Sequence, residues 1–193
     1  MINIYFIRHG QTQWNSEKKL QGRTDIPLNA AGRAQIAAYQ LNEQLRAAKW
    51  YCSPLQRAQQ TADILGINPS IEDAIIEMNW GAWEGRKLKE IQRADPDAFA
   101  RLEALGIDLM PPEAESPRIV GARVNDWIEH LAEQSVSVDV GCVSHKGVIR
   151  AVYALAANWD MKNKAEHKMD FHCAQHFCFE DGVWSIGELN IAL

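Results

Sequence analysis

The pattern of apolar and polar positions predicts strands that alternate with helices along the chain. Short apolar runs, typical of strands buried in a parallel sheet, occupy residues 2–7, 49–52, 71–76 and 136–143. Apolar residues at helical spacing occupy 30–47, 55–65, 87–105, 118–134 and 147–158. Two extended stretches, 175–180 and 183–189, flank the hairpin signal Asp181-Gly182. This pattern predicts an α/β fold: three-layer α/β/α, with a mostly parallel sheet, an antiparallel edge strand and a C-terminal hairpin.

Local signals predict where several helices begin and end. Asn29 is a candidate N-cap for the helix over 30–47, and Gly66 ends the helix over 55–65. Ser53 and Pro54 predict an N-cap and a first-turn proline for that second helix. A proline at position 96 predicts a break in the helical region 87–105.

Length and composition predict one ordinary globular domain. The 193 residues are 47% hydrophobic, which allows a sizeable core in a single domain over 1–193. Residues 106–117 are rich in proline and predict a loop, so the stretch over about 86–117 is expected to form a helical and loop insertion near the active site.

Charge and hydropathy exclude several classes of function. The net charge of −5 argues against general nucleic-acid binding. No apolar run approaches the roughly 20 residues that span a bilayer, and residues 1–4 lack a signal-peptide pattern, so we expect a cytoplasmic protein without membrane contact. The four cysteines form no Cys-x-x-Cys pair, and Cys52 and Cys142 are expected to be buried thiols.

Four polar groups each follow a predicted strand. They are Arg8-His9, the stretch 53–57, Glu77, and Ser144-His145. Ligands of open α/β sheets bind at the carboxyl ends of the strands, so we expect these groups to share one pocket.

The side chains in these groups suit a phosphate monoester. Arg8 and Arg57 supply planar donors for phosphate oxygens, and Arg57 also lies in the first turn of its helix, where an anion is favoured. His9 can act as a nucleophile, and His145 can donate to the transferring group. Glu77 can give a proton to the leaving oxygen and then take one from water. This set requires no metal ion.

Five ordered motifs carry a resemblance to a known family. They are RHGQTQWN at 8–15, QGRTDIPL at 21–28, SPLQRAQQT at 53–61, EMNWGAWEG at 77–85 and VSHKGVIR at 143–150. Together they resemble the histidine phosphatase superfamily, also described as phosphoglycerate mutase-like. The motifs cover most of the chain, and five in order are far more specific than any one alone.

The resemblance implies a phosphohistidine intermediate on His9, formed without a metal or another cofactor. It implies that the phosphoryl group is held by Arg8, Asn15, Arg57 and His145. It further implies that Glu77 is the proton donor and that Gln21 and Gly22 line the substrate side. The pattern is most similar to the small phosphatases, including α-ribazole phosphatases and broad-specificity phosphatases.

Within the family, hydrolysis of a small phosphorylated metabolite is the favoured activity. Mutases of this family usually have a longer tail and commonly carry Glu-Ser after the RHG motif, where this chain has Gln11-Thr12. The alternatives are a phosphoglycerate-type mutase and a non-catalytic protein that binds a phosphorylated ligand. The composition permits a homodimer but does not require one.

Two departures from the family pattern concern the substrate side. The chain has Ala114-Glu115-Ser116 where relatives often have Gly-Glu-Ser, and Lys146 where many have glycine. Lys146 could contact a phosphate or reach solvent, and we favour solvent. We expect Glu84 to be a structural carboxylate bonded to backbone, and Trp80 and Trp83 to belong to the core or to a pocket wall.

A second group of residues is of types that bind zinc: His167, His172, Cys173, His176 and Cys178. The spacing matches no familiar zinc motif. The extended stretch 175–180 would place His176 and Cys178 on one face and separate them from His172. We therefore interpret these residues as ordinary members of a loop and an edge strand.

Overall fold

The centre of the fold is one six-stranded sheet. A computed structural model describes residues 1–134 and 139–193. Its strands, in chain order, are β1 Ile2–Arg8, β2 Lys49–Cys52, β3 Ser70–Ile71, β4 Val140–Ser144, β5 Gln175–Glu180 and β6 Val183–Ile186.

The sheet is mostly parallel, as predicted. Its strand order is β3-β2-β4-β1-β5-β6, in which β1 to β4 run parallel and β5 and β6 add an antiparallel hairpin at one side. The central strand β4 is buried at every position, which suits its run of small and apolar residues. In the register between β1 and β4, Arg8 lies opposite Ser144. The residues that follow these two strands, His9 and His145, therefore emerge side by side.

Helices cover both faces of the sheet and complete three layers. They are α1 Gln13–Ser16, α2 Ala30–Ala37, α3 Glu43–Ala47, α4 Gln56–Leu65, α5 Leu88–Ala94, α6 Pro96–Glu103, α7 Pro117–Glu133 and α8 Lys146–Ala157. Ile4 and Phe6 of β1 pack in the same core cluster as α7 and α8, whereas Tyr5 and Ile7 pack with α3 and α4. This alternation follows from the two-residue period of a strand. No helix in the described part of the chain is long and apolar enough to cross a membrane.

The single helix predicted over 30–47 is wrong, because the chain breaks it into α2 and α3. Asn29 caps α2 as predicted, with its side-chain oxygen accepting from the Gly32 N–H at 2.8 Å. Asn42 then starts α3 by accepting from the Leu45 N–H at 2.9 Å. An asparagine that binds a backbone N–H three residues ahead favours a new helix start over continuation of the old helix.

Two further predictions are wrong, one about the start of α4 and one about the length of the strand over 71–76. Ser53 does not cap α4, and Pro54 does not lie in its first turn; the N-cap is Leu55, which makes no side-chain capping bond, and the helix begins at Gln56. The strand predicted over 71–76 is confined to Ser70–Ile71 and is followed by a 3-10 turn at Asp73–Ile75. The Glu72 side chain accepts from the Ala74 N–H at 2.8 Å, which turns the chain away from the sheet.

Other boundaries agree with the prediction. The break at Asp95 is confirmed: α5 ends there, and the Asp95 carboxylate caps α6 through the Ala98 N–H at 2.9 Å. The predicted loop contains a 3-10 turn at Gly106–Asp108. The strand predicted over 136–143 is observed as Val140–Ser144, and its first part, residues 136–138, lies outside the described residues.

Candidate active site

The hydrogen bonds around His9 fix which of its ring nitrogens is free. Its Nδ1 lies 2.7 Å from the Gly10 carbonyl oxygen, which can only accept, so Nδ1 carries the proton and Nε2 keeps its lone pair. The ring is 6% exposed. Burial holds the pKa of His9 well below its ordinary value, and the charges of Arg8 and Arg57 act in the same direction. His9 is therefore a neutral imidazole over a wide pH range.

His145 lies against His9 and is fully buried. The ring centroids of the two histidines are 5.1 Å apart. His145 Nε2 pairs with the Ser53 hydroxyl at 2.7 Å, while its buried Nδ1 has no partner in the described part of the chain. Burial, followed by the charge of Arg57, holds the pKa of His145 well below its ordinary value. The unpartnered Nδ1 is a polar atom available to a ligand.

Arg57, on the first turn of α4, is held by backbone carbonyls. Its Nη2 donates to Gly22 O at 2.7 Å and its Nη1 donates to Thr24 O at 3.0 Å. Oriented with its oxygen toward Arg57, the Gln21 amide accepts from Nε at 2.8 Å and donates to Thr12 Oγ1. Burial lowers the pKa of Arg57 to about 10, which still leaves the guanidinium charged at neutral pH. The arginine is thus fixed and oriented without a carboxylate partner.

Arg8 and Asn15 line the same cavity as His9. The Arg8 Nε is buried and has no partner in the described residues, so this guanidinium keeps a donor for a ligand. Asn15 is also a local cap, since its side-chain oxygen accepts from the Thr12 N–H at 3.1 Å while Thr12 Oγ1 accepts from the Asn15 N–H.

Glu77 is buried in the cavity wall beside these cations. Its Oε1 accepts from the Met78 N–H at 2.8 Å, and its Oε2 accepts from the Gly147 N–H at 3.4 Å. Burial raises the pKa of Glu77 above its ordinary value, although these N–H groups, Arg57 and Arg8 oppose the shift. A raised pKa is what a carboxyl group needs to act as a general acid.

Glu84 is the structural carboxylate that the sequence predicts. It accepts from the backbone N–H groups of Arg23, Thr24 and Trp80 at 2.8, 2.9 and 3.2 Å. Gly22 lies against it with a φ of +54°, and a Cβ there would be 1.8 Å from Glu84 Oε1. Only glycine therefore lets this loop pass close to Glu84 and point its carbonyl at Arg57.

A network of charged side chains holds the segment that carries Glu77. Arg123 of α7 donates to the carbonyls of Ala74 and Ile76, the latter at 2.6 Å. Glu115 accepts from the Asn79 N–H at 2.9 Å, and it also pairs with Arg23 and Arg123. The backbone on both sides of Glu77 is thus fixed by side chains from a distant helix and loop.

Lys146 and Arg150 of α8 complete the charged lining of the cavity. Lys146 is exposed, as predicted, but its ammonium also lies 5.1 Å from the ring centroid of Phe171. The Arg150 guanidinium lies 5.1 Å from the ring centroid of Trp159.

The structure brings seven of the eight candidate residues into the lining of one cavity, and the eighth, His145, is fully buried against His9 with the two ring planes at 57°. The cavity has a volume of about 460 Å³. Trp80 lines it, whereas Trp83 is buried in a small cluster with Ile91 and Phe99. Sequence reasoning missed Ser53 as the partner of His145, and Arg123 and Glu115 as supports of Glu77. The strand pattern places the stretch 53–57 at the edge where His9 and His145 lie, but the Ser-Pro signal predicts only a helix cap for Ser53.

The residues with zinc-binding side chains serve other contacts. His176 and Cys178 share a face of β5, with Cys178 Sγ 3.5 Å from His176 Nε2, and His176 stacks on Tyr5. His172 Nδ1 pairs with Gln35, and His167 Nδ1 pairs with Tyr153. Among the residues that the structure describes, no group of three or more His, Cys, Asp or Glu could hold a metal ion.

The fold and this arrangement agree with a family assignment. Residues 4–192 match the model of the histidine phosphatase superfamily (branch 1), and the chain belongs to that family. Two proteins are each 30% identical to it. They are the uncharacterized phosphatase PhoE of Bacillus subtilis, matched over 99% of this chain and 95% of its own, and phosphoglycerate mutase-like protein 4 of Arabidopsis thaliana, matched over 79% and 70%.

Solved structures show the same architecture. A mycobacterial glucosyl-3-phosphoglycerate phosphatase in complex with VO3 superposes with a TM-score of 0.84 at 25% identity, covering 98% of this chain and 99% of that one. A putative α-ribazole-5'-P phosphatase from Escherichia coli superposes with a TM-score of 0.79 at 23% identity, covering 100% and 98%. The predicted resemblance to this family and to its phosphatase members is confirmed.

Proposed function

We propose that this protein hydrolyses phosphomonoesters through a phosphohistidine intermediate on His9, without a metal ion. The observation that carries this proposal is the fixed orientation of His9. Its Nδ1 is tied to Gly10 O, so the lone pair of Nε2 is free in a site that also holds two arginines. A neutral imidazole beside an anion-binding pocket is suited to attack phosphorus. The similarity to a mycobacterial glucosyl-3-phosphoglycerate phosphatase supports phosphatase activity by analogy.

In the first step, His9 Nε2 forms a bond to phosphorus while the bond from phosphorus to the ester oxygen breaks. Arg8 and Arg57 offset the negative charge on the phosphoryl oxygens. Glu77, a buried carboxyl group whose pKa is raised, gives its proton to the leaving oxygen and releases an alcohol. In the second step, the Glu77 carboxylate takes a proton from water, the water oxygen attacks phosphorus and the phosphorus–nitrogen bond breaks. Inorganic phosphate leaves, and both side chains return to their starting state.

His145 contributes a neutral donor in this scheme. Ser53 Oγ accepts from the Leu55 N–H at 3.4 Å, which directs its own proton toward His145 Nε2 at 2.7 Å. Nδ1 of the neutral ring then carries the proton and can donate to a phosphoryl oxygen. Asn15 adds a side-chain amide at the same side of the cavity.

The experiment is phosphate release from p-nitrophenyl phosphate and from a panel of phosphomonoesters with EDTA present. We expect release by the wild type and a loss of about 10⁴-fold or more in His9→Ala, because the nucleophile is removed. His130→Ala, on the exposed side of α7, is the matched control and should keep wild-type turnover. Wild type quenched with SDS at alkaline pH should carry a phosphoryl group that is stable in alkali and is lost when the sample is acidified.

Three results would overturn the proposal. Near-normal turnover in His9→Ala would mean that His9 is not the nucleophile, and inhibition by EDTA would mean that a metal takes part. Movement of phosphate between the hydroxyls of a phosphoglycerate, without release to solution, would identify a mutase. The plant relative's name makes that the second candidate.

A further inference from the structure

The cavity extends well beyond the place where a phosphoryl group would contact His9. Its volume of about 460 Å³ lies within the range of roughly 300–1,000 Å³ that is usual for small-molecule sites. Leu20, Trp80, Leu109 and Met161 line it with apolar surface. The leaving group of the substrate can therefore bury an apolar or aromatic body here.

Two cations lie on the same cavity wall, one helical turn apart. Lys146 and Arg150 are four residues apart on α8, so their side chains lie on one face of the helix. Each charge lies over an aromatic ring, Lys146 over Phe171 and Arg150 over Trp159. An aromatic face attracts and orients a cation but does not neutralise it, and the N–H donors remain available to an anion.

In the described part of the chain, neither cation forms an ion pair with a carboxylate. In the ranges 1–134 and 139–193, the ion pairs involve other side chains. Glu103 lines the same cavity, but it is exposed. Partial loss of hydration, followed by the charges of Arg8 and Arg150, lowers the pKa of Lys146, and the charge of Glu77 opposes this shift. These like charges repel one another, and a bound anion would relieve that repulsion.

The neighbouring cavities distinguish Arg150 from the phosphoryl-binding group, whereas Lys146 lies close enough to Arg8 for the two charges to interact. Arg150 and Met161 also line a second cavity of about 380 Å³, which includes Lys164 and Lys168 but not His9. A third cavity includes His9 and Arg8 but neither Lys146 nor Arg150. Arg150 therefore lies on the side of the site that leads away from His9.

We propose that Lys146 and Arg150 bind a second anionic group of the substrate. The substrate class is then a phosphomonoester whose leaving group combines an apolar body with a carboxylate or a second phosphate. This inference rests on the proposed phosphatase activity at His9, and it assigns Lys146 and Arg150 as residues that determine specificity.

The test compares aryl phosphates that differ in one substituent. Carboxyphenyl phosphate is paired with carbamoylphenyl phosphate, which has almost the same shape and no second charge, and phosphonomethylphenyl phosphate supplies a second phosphate-like group. Meta and para isomers vary the distance between the two anions. We expect wild-type kcat/KM to be at least about tenfold higher for the best anionic isomer than for its neutral partner, through a lower KM, as a hydrogen-bonded charge pair provides.

Variants assign that preference to the two residues. Lys146→Met and Arg150→Met should each lower the anionic-to-neutral ratio by about tenfold, which is the contribution of one charge-assisted bond. Comparing this ratio between a variant and the wild type removes the effect of different phenol acidities. It also removes any loss of activity that is common to both esters. Lys89→Met, on the exposed surface of α5, is the matched control and should keep the wild-type ratio. The assignment would be overturned if the wild type had equal kcat/KM for both esters. It would also be overturned if Lys89→Met lowered the anionic-to-neutral ratio.

A binding measurement separates this inference from the proposed function. Titration calorimetry of the intact esters against His9→Ala requires no turnover. Binding of the carboxyl ester at least about tenfold more tightly than the carbamoyl ester would support the second anion site, even if no ester were hydrolysed. Equal binding of both esters would refute the site, even if the wild type hydrolysed them all.

Discussion

The cavity has two halves that are built in opposite ways. The inner half is formed by Arg8, His9 and Arg57, with His145 buried against His9, and it lies at the ends of β1, β2 and β4. There His9 and Arg57 bond to backbone carbonyls, and His145 pairs with Ser53. The outer half, formed by Trp80, Leu109, Lys146 and Arg150, comes mainly from loops and one face of α8, and its two cations rest on aromatic rings.

This difference in construction indicates that the inner half carries out the reaction and the outer half selects the substrate. Buried groups held by backbone bonds are pre-organised, so they can stabilise the same transition state for any ester. Cations held only by aromatic faces can adapt to the leaving group. Changes in the inner half should therefore affect every substrate and also the stability of the fold, whereas changes in the outer half should affect the ranking of substrates.

The largest effect is expected from Arg57→Met. It should lower kcat/KM by about 10³–10⁵-fold for every ester, because it removes a fixed transition-state charge. It should also lower the free energy of unfolding by about 1–3 kcal/mol for each buried partner left unpaired, such as Gly22 O. Urea denaturation measures the stability, and steady-state kinetics measure kcat/KM.

Arg150→Met, the corresponding change in the outer half of the cavity, is the control and should lower the free energy of unfolding by about 1 kcal/mol or less. If both variants lowered the free energy of unfolding equally, the two halves of the cavity would not differ in their contribution to stability.

Glu77→Gln should lower kcat/KM for alkyl phosphates by about 10²–10⁴-fold, the usual contribution of a general acid. The wild-type pH profile should fall in acid as His9 takes a proton, at a pKa well below 6.5, and fall toward alkali as Glu77 loses its proton, at a pKa above 4.5. The alkaline fall should disappear in Glu77→Gln relative to wild type. Glu133→Gln, on the exposed end of α7, serves as the control. If the alkaline fall persisted, another group would be the acid.

Ser53→Ala should lower kcat by about tenfold to a hundredfold with little change in KM, because the buried His145 ring loses the bond that orients it. Ser53→Thr keeps the hydroxyl and should recover much of the rate. Ser70→Ala, on the exposed strand β3, is the control. A fall confined to KM would show that Ser53 acts on substrate binding instead.

The smallest of these effects is expected from Arg123→Met. It should lower kcat by about tenfold, because the backbone on either side of Glu77 is then less well held. The pKa of the alkaline limb should move at the same time, which a general loss of stability would not cause. Arg118→Met removes an exposed pair with Asp108 and should leave both unchanged. An unchanged alkaline limb in Arg123→Met would mean that Arg123 does not position Glu77.

The sequence predicts the inner half of the cavity better than the outer half. Arg8, His9 and His145 follow strands directly, so the strand pattern is enough to place them at one edge of the sheet. Asn42 shows where pattern alone fails, since apolar spacing continues through the position at which its side chain starts a new helix. The 3-10 turn after Ile71 likewise depends on one side-chain bond, made by Glu72.

The outer half depends on contacts between distant parts of the chain. Lys146 lies over the ring of Phe171, and Arg150 lies over the ring of Trp159. Both aromatic residues belong to a loop whose sequence has no regular period. Arg123 reaches the carbonyls of Ala74 and Ile76 from a helix about fifty positions later in the chain. Such contacts follow from the assembled fold, and local sequence carries no signal of them.

The parallel register of β1 with β4 has a consequence for how activity is gained during folding. His9 and His145 stand together only because Arg8 pairs with Ser144 across this register, although most of the chain separates them. Closing so long a loop is entropically costly and slow, whereas helices form early. Recovery of turnover in a refolding experiment should therefore lag behind recovery of helical circular dichroism. A one-residue slip in this register would displace one histidine by about 3.3 Å and turn it to the opposite face.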